Sequence, residues 1–131
     1  MAGPLNRPII YNTEQRDFDM SHATTRIAHG NLVIFYAKCD KANQGWRTSQ
    51  DIFLSAAETQ RYTNYKSEKA AQQFLQGRGM IRAMLASYLG VPAVDVGLSC
   101  QEHVKPVAQC RTSSRPPPKF NLSHSGDWVV L

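Results

Sequence analysis

The sequence has no apolar run that approaches the ~20 residues a helix needs to cross a bilayer. Its first residues lack the basic start, the long apolar stretch and the small-residue cleavage site of a secretory signal peptide. Cysteine is scarce, and three residues are too few, and odd in number, for a disulfide framework. These absences argue against a secreted or membrane protein, so we expect no membrane partner and a reducing, cytoplasmic location.

The residues that are present fit one globular domain of ordinary size. The chain has 131 residues, of which 42% are hydrophobic and 19% charged, as in folded rather than disordered chains. The net charge of +5 favours an anionic partner: a phosphorylated ligand, an acidic protein or a nucleic acid. Because the basic residues are spread along the chain and do not alternate with aromatic residues in one stripe, we expect no nucleic acid.

Two helices are predicted from capping residues and apolar spacing. Ser55 and Glu58 stand in the S-x-x-E spacing of a capping box, so a helix is expected to begin at Ser55. The strongest helical pattern follows Ser67, which suits an N-cap, and ends at Gly90, where a C′ glycine belongs. Its apolar residues recur at spacings of three, four and seven: Phe74, Ile81, Met84, Leu85, Tyr88 and Leu89.

The middle of this long helix contains two glycines and two arginines. Gly77 and Gly79 each cost about 1 kcal/mol in a helix interior, so close packing or a ligand is expected to require them. Arg78 and Arg82 are four residues apart and therefore share one face of the helix.

Short apolar runs outside the helices predict strands. Residues 31–37 ("NLVIFYA") are rich in β-formers and typical of a buried strand, and residues 94–100 alternate as a strand does. Residues 119–131 ("KFNLSHSGDWVVL") predict a strand, a tight Ser-Gly-Asp turn and a second strand. Residues 1–30 show no sustained period and are interpreted as an N-terminal extension, and residues 38–51 as a polar loop.

The Ser-His-Ser run within the last segment suits phosphate binding. Ser123, His124 and the amides of Ser125 and Gly126 can converge on one spot if strand alternation breaks near the turn. Hydroxyl, imidazole and backbone N–H groups all donate to phosphate oxygens. The alternative stays open that Asn121 and Ser123 cap the turn while His124 packs against the core.

Other chemistries lack their usual motifs in this sequence. There is no G-x-S-x-G nucleophile elbow, no Walker loop and no G-x-G-x-x-G dinucleotide fingerprint. Four residues could ligate zinc, but their spacing matches no finger or ribbon: Cys100, His103, Cys110 and His124. We therefore expect no zinc site built from them.

Four segments, in this order, resemble the 4′-phosphopantetheinyl transferases (holo-acyl-carrier-protein synthases) of the two-lobed, surfactin-synthetase-activating type. "LSAAETQR" is similar to the opening of a family helix, and "FLQGRGMIRAMLASYLG" to the motif F-L-x-G-R-x-L-L-R-x-L-L. "VKP" stands where the family has G-K-P, and "FNLSHSGDWVVL" is similar to the signature F-N-L-S-H-S-G. The resemblance covers Leu54 to Leu131.

The resemblance implies a fold of two similar α/β halves with the active site between them. This chain would be the N-terminal lobe only, an α+β unit over residues 31–131 in which a long helix packs on a small mixed or antiparallel sheet. The implied activity is transfer of 4′-phosphopantetheine from coenzyme A to a serine of an apo acyl or peptidyl carrier protein, with Mg²⁺ as cofactor and release of 3′,5′-ADP. The alternative is a module that binds coenzyme A or a carrier protein without catalysis.

The resemblance also assigns five side chains to coenzyme A: Arg61, Arg78, Lys105, Ser123 and His124. Ser123 and His124 would bind phosphates, and Lys105, with its neighbour His103, would line the adenosine end. Arg61 would contact a phosphate, and Arg78 would support the helix or the ligand.

The sequence departs from the family pattern at several places. Gln73 stands where the family often has an arginine for the 3′-phosphate, which leaves Lys69 or Arg78 to substitute, and Val104 replaces the glycine of G-K-P. The family's metal-binding G-x-D-x-E and its W-x-x-K-E helix, which follow the F-N-L-S-H-S strand pair, do not occur in these 131 residues. We therefore expect a chain truncated before its metal site, with no catalytic or metal-binding residue and little activity alone.

Overall fold

The computed structural model describes residues 7–39, 54–101 and 104–131. Most of the polar loop predicted over residues 38–51 lies outside these ranges. The elements in chain order are β1 Ile9–Asn12, α1 Met20–Ala28, β2 Val33–Lys38, α2 Ala56–Asn64, α3 Glu68–Leu89, a 3-10 turn Ala93–Asp95, β3 Gly97–Leu98, β4 Ala108–Gln109, β5 Ser123–Ser125 and β6 Trp128–Val130.

Helix α2 begins where the capping box predicted. The Ser55 hydroxyl oxygen accepts from the Glu58 backbone N–H at 3.2 Å, and the Glu58 carboxylate accepts from the Ser55 backbone N–H at 2.9 Å. Each side chain thus satisfies a backbone donor that the first turn leaves without a helical partner.

Helix α3 has the predicted bounds. The Ser67 hydroxyl oxygen accepts from the Ala70 backbone N–H at 3.3 Å, and Gly90 ends the helix with a left-handed φ of 68°. A residue without a side chain adopts that conformation at little cost. The predicted apolar stripe faces the core, where Ile81 and Leu85 are fully buried.

A mixed four-stranded sheet in the order β1-β2-β6-β5 packs against the helices. Strands β1 and β2 are parallel, whereas β6 is antiparallel to both β2 and β5. Phe35, Ala37 and Val129 join the α3 side chains in the core. The predicted fold, a long helix on a small mixed sheet, is therefore confirmed.

The predicted hairpin at the end of the chain is formed by β5 and β6. The two strands are joined by the two-residue turn Gly126–Asp127, in which Gly126 has a φ of 58°. Such tight turns need positive φ and so favour glycine. In the register, His124 lies opposite the buried Val129.

A second, two-stranded sheet formed by β3 and β4 positions the segment that carries Lys105. Its pairing continues beyond the strands, since the backbone N–H of Ser99 donates to the Val107 carbonyl at 3.0 Å and that of Val107 to the Ser99 hydroxyl at 2.8 Å. The strand predicted over residues 94–100 is shorter than expected, because the 3-10 turn Ala93–Asp95 occupies its first part.

The segment interpreted as an N-terminal extension contributes two elements to the fold. Strand β1 pairs with β2 over four residues, and Ala23 of α1 is fully buried in the same core as α3. Strand β1 and helix α1 therefore complete the sheet and core, although a strand of four residues and a helix of nine give little periodic signal. The domain boundary at residue 31 stays a prediction.

Gly77 has the packing reason that its place inside a helix suggested. A Cβ atom at this position would lie 2.5 Å from Cδ2 of Leu122, the residue just before β5. The absence of a side chain thus lets the chain that leads into the hairpin approach α3 closely.

Candidate functional site

A cavity of about 560 Å³ lies between α2, α3, β5 and the segment 104–106. Its lining includes four of the five side chains that the resemblance assigned to coenzyme A: Arg61, Arg78, Lys105 and His124. They come from four separate parts of the chain, so the tertiary fold brings them together. Three are cationic at neutral pH and the fourth is an imidazole, which suits the cavity to an anionic ligand.

Arg61 reaches the cavity from α2. Its Nε donates to the Tyr65 hydroxyl at 3.1 Å, and its Cζ lies 4.9 Å from the centroid of the Phe74 ring. Burial acts to lower the pKa of Arg61, but the Tyr65 hydroxyl and the Cys100 sulfur raise it above its ordinary value. The guanidinium is therefore charged and held beside an aromatic ring.

Arg78 lines the cavity from α3 and is only 5% exposed. Its Nη1 donates to the Ser99 carbonyl at 2.8 Å and lies 3.5 Å from Oε2 of Glu58, while its Cζ is 5.2 Å from the centroid of the Phe74 ring. Burial lowers the pKa of Arg78, and the charge of Glu58 offsets part of this effect. Arginine nevertheless stays protonated at neutral pH, so this side of the cavity is cationic.

Behind Arg78 lies a buried ion pair that the sequence did not reveal. Glu58 is fully buried and Arg82 is 1% exposed. Arg82 Nη2 lies 2.6 Å from Glu58 Oε1, Arg82 Nη1 donates to Oε2 at 2.9 Å, and Arg82 Nε donates to the Val96 carbonyl at 3.2 Å. The two residues are 24 positions apart, so no local sequence pattern connects them. The sequence features that point to the pair are the capping-box glutamate and an arginine on the apolar side of α3.

Lys105 and His124 line the more open part of the same cavity. Both residues are exposed, in contrast to Arg78. His124 is the central residue of the edge strand β5, and its exposure contradicts the alternative in which the imidazole packs against the core. Both side chains are thus placed to reach a ligand from solvent.

Ser123 belongs mainly to a neighbouring cavity of about 480 Å³, which Lys105 also lines. Regular pairing with β6 keeps the alternation of β5 intact, so adjacent residues of this strand face opposite ways. The expected convergence of Ser123 and His124 on one spot is therefore wrong. The two residues border adjacent cavities, and Lys105 borders both.

Two side chains of α3 contact the β5–β6 turn. The amide nitrogen of Gln73 donates to the Gly126 carbonyl at 2.8 Å, and Nζ of Lys69 lies 3.6 Å from Oδ1 of Asp127 in an exposed ion pair. Gln73 also lines the larger cavity, whereas Lys69 is directed to the turn. Lys69 and Arg78 were the two candidates to replace the arginine that the family often has at position 73. Of these two, Arg78 is the one that lines the cavity.

No group of three or more His, Cys, Asp or Glu side chains that could hold a metal ion occurs among the described residues. No magnesium ligand is therefore assigned among them. His103, predicted beside Lys105 and as a zinc ligand candidate, lies outside the described residues. The three cysteines form no disulfide, and no helix in the described part is long and apolar enough to span a membrane.

Comparison with known proteins places these features in a family. The model of the family described as "4′-phosphopantetheinyl transferase, N-terminal" matches residues 42–131, so the chain belongs to this family. All five residues that the resemblance assigned to coenzyme A lie in the matched range, whereas β1, α1 and β2 precede it.

Individual relatives are also named as phosphopantetheinyl transferases. The chain is 38% identical over 88 residues to a phosphopantetheinyl transferase of Thraustochytrium sp., covering 65% of this chain and 29% of the relative. It is 28% identical over 78 residues to a 4′-phosphopantetheinyl transferase of Bacillus subtilis, covering 60% and 33%. It is 36% identical over 80 residues to the human L-aminoadipate-semialdehyde dehydrogenase-phosphopantetheinyl transferase, covering 60% and 26%. The chain thus spans a third or less of these relatives.

Proposed function

We propose that this chain binds coenzyme A in the cavity between α2, α3 and β5, as the N-terminal part of a 4′-phosphopantetheinyl transferase. The observation that supports this is the gathering of Arg61, Arg78, Lys105 and His124 around that cavity. Coenzyme A carries a pyrophosphate and a 3′-phosphate, and clustered cationic donors favour such groups.

The four residues divide into two kinds of contact. Arg61 and Arg78, which both lie close to the Phe74 ring, would bind a phosphate from their positions on α2 and α3. Lys105 and His124, which are exposed, would contact the nucleotide from the solvent side. Ser123 would contact the ligand where Lys105 borders both cavities. Binding and orientation of the nucleotide are therefore the roles that we assign to this chain.

The proposed reaction transfers 4′-phosphopantetheine to a serine of an apo acyl or peptidyl carrier protein. The serine oxygen forms a bond to the β-phosphorus, and the bond from that phosphorus to the bridging oxygen breaks, so that 3′,5′-ADP leaves with the electron pair. The serine proton is lost as the new bond forms, and we assign no residue of this chain to its removal. We expect the complete protein to depend on Mg²⁺, but no ligand for it is assigned among the described residues and no step is assigned to the ion.

We propose an acidic carrier protein as the partner and the cytoplasm as the location. Carrier proteins of this class are typically acidic, which suits a chain of net charge +5. Three cysteines without a disulfide are consistent with the cytoplasm. We propose that the transferase lobe over residues 31–131 is completed by β1 and α1, because both pack in its sheet and core.

A second candidate function is a module that binds coenzyme A or a carrier protein without catalysis. The same cavity supports it, because holding the nucleotide requires no metal site. Because the chain alone is expected to have little activity, the two functions are separated by intact-mass measurement of an apo carrier protein incubated with coenzyme A, Mg²⁺ and this chain fused to the C-terminal part of a related transferase. Mass gain by one phosphopantetheine supports the transferase, and its absence despite coenzyme A binding supports the module.

Calorimetry with the 131-residue chain tests the coenzyme A site itself. We expect coenzyme A to bind, dephospho-coenzyme A to bind more weakly, and Lys105→Ala and His124→Ala each to raise the dissociation constant about tenfold. Arg26→Ala is the matched control, because it removes one charge from an exposed position on α1. Equal affinity of all variants, or no coenzyme A binding by the parent chain, would overturn the proposal.

A further inference from the structure

The carboxylate of Glu58 is fully buried and is held from two sides. Oε1 accepts from the Ser55 backbone N–H at 2.9 Å and lies 2.6 Å from Arg82 Nη2, while Oε2 accepts from Arg82 Nη1 at 2.9 Å. Rotation of this carboxylate would break both sets of contacts. Its position is therefore fixed to the first turn of α2 and to the middle of α3.

The same Oε2 atom lies 3.5 Å from Nη1 of Arg78, the arginine that lines the cavity. The Ser99 carbonyl and the Phe74 ring contact the same guanidinium. Both polar contacts use Nη1, although a guanidinium has five N–H donors. Among the described residues, no acceptor is found for the remaining N–H donors of Arg78, and the side chain borders the cavity.

We propose that Glu58 is a positioning residue for the cavity: its fixed carboxylate holds the guanidinium of Arg78 so that it meets a phosphate of the ligand already oriented. This inference rests on the coenzyme A site proposed above. A buried carboxylate beside a phosphate-binding arginine has an electrostatic cost, because it repels the phosphate. The presence of Glu58 is explained if the binding free energy gained from a pre-oriented guanidinium exceeds the electrostatic cost of the carboxylate.

Positioning and simple charge attraction predict opposite results for Glu58→Gln. The substitution removes one negative charge near the cavity, so charge attraction alone predicts tighter binding of coenzyme A. If Glu58 positions Arg78, the guanidinium loses its fixed anchor and binding weakens. If Glu58 serves only the stability of the fold, the folded variant binds as the parent chain does.

The experiment measures the dissociation constants of coenzyme A and of inorganic pyrophosphate by calorimetry, with circular dichroism to verify folding. We expect Glu58→Gln to raise both constants about tenfold, and Glu58→Asp, which keeps the charge but withdraws it by one methylene, to raise them about threefold. Asp17→Asn is the matched control, since it neutralises an exposed carboxylate in the loop before α1 and leaves both constants unchanged.

The outcomes separate this inference from the proposed function. If Lys105→Ala weakens binding but folded Glu58→Gln binds as tightly as the parent chain or more tightly, the positioning role is overturned and the coenzyme A site stands. If the parent chain binds no coenzyme A, both are overturned. If Glu58→Gln does not fold, Glu58→Asp decides, and parent-like affinity of that variant overturns the inference.

If neither variant folds, the parent chain provides the test. Nitrogen-15 NMR of the arginine side chains then reports on Arg78 before and after addition of pyrophosphate. Slow guanidinium rotation in the free chain, with Nη–H signals that shift on addition, supports the inference. A freely rotating Arg78 in the free chain overturns it.

Discussion

The side-chain amide of Gln73 donates a 2.8 Å hydrogen bond to the backbone carbonyl of Gly126 and so ties α3 to the turn of the hairpin that carries His124. Gln73→Ala removes this bond, and we expect the free energy of unfolding to fall by about 1 kcal/mol. Urea unfolding measures the loss, and hydrogen exchange is expected to accelerate at the turn. Gln15→Ala, at an exposed position, serves as the control. Unchanged exchange at the turn would show that the bond does not hold the hairpin.

The contact between Gly77 and Leu122 predicts that Gly77→Ala destabilises the parent chain but stabilises a chain that already carries Leu122→Ala. Gly77→Ala alone places a Cβ 2.5 Å from Leu122 Cδ2, so the leucine must move and we expect a loss of about 1–2 kcal/mol in the free energy of unfolding. With Leu122→Ala already present the clash is gone, and the same substitution is expected to stabilise by about 1 kcal/mol through helix propensity. Additive effects in urea unfolding would contradict this packing.

The parts of the fold that the sequence predicted are those with local signals. The Ser55–Glu58 spacing, the Ser67 N-cap and Gly90 each act within a few residues, and both helices have the expected bounds. Helix 20–28 has a local signal that the sequence interpretation missed, since the side chain of its N-cap Asp19 accepts from the backbone N–H groups of Ser21 and His22. Residues 9–12 have none, because their pairing depends on β2 elsewhere in the chain. Local patterns cannot specify a strand whose neighbour lies some twenty residues away.

The same distinction applies to the candidate site. Similarity to family motifs named Arg61, Arg78, Lys105 and His124, and the fold gathers them around one cavity. Glu58 was predicted only as a cap, since its ion pair joins α2 to α3 across the core. Which residues share a cavity depends on tertiary packing, and so does the separation of Ser123 from His124.

Glu58 predicts a specific pH dependence of stability. Burial acts to raise the pKa of Glu58, but the hydrogen bonds from Arg82 and Ser55, with the charges of Arg82 and Arg78, lower it below its ordinary value of 4.5. A lowered folded pKa adds stability that is fully present above the unfolded pKa and is lost as pH falls through the folded value. The stabilisation by Glu58 is therefore expected to begin to decline as the pH falls below about 4.5, and to be lost once the carboxylate is protonated in the folded state.

Urea unfolding of the parent chain and of Glu58→Gln at several pH values between 3 and 7 measures this dependence. Because the variant leaves two buried arginines without their carboxylate, we expect it to be about 3 kcal/mol less stable at neutral pH. The difference is expected to shrink as the pH falls. A constant difference over the whole range would mean that Glu58 does not titrate in this way.

Phe74 lies close to both guanidiniums of the cavity, with ring-centroid distances of 4.9 Å to Cζ of Arg61 and 5.2 Å to Cζ of Arg78. Phe74→Leu keeps an apolar side chain but removes the ring face, and we expect the dissociation constant of coenzyme A to rise about fivefold. Phe18→Leu is the matched control, because this ring packs against Tyr11 and Phe35 instead. It is expected to lower stability without changing affinity.

A double-mutant cycle of Arg61→Ala and Phe74→Leu separates the role of the Phe74 ring from a general loss of packing. If the ring acts by holding Arg61, then Arg61→Ala weakens coenzyme A binding strongly in the parent chain but little when Phe74→Leu is already present. Calorimetry of the four proteins gives the coupling energy, which is expected to differ clearly from zero for residues in contact. Strictly additive losses would show that Phe74 fills space beside the arginines and does not orient Arg61 for the ligand.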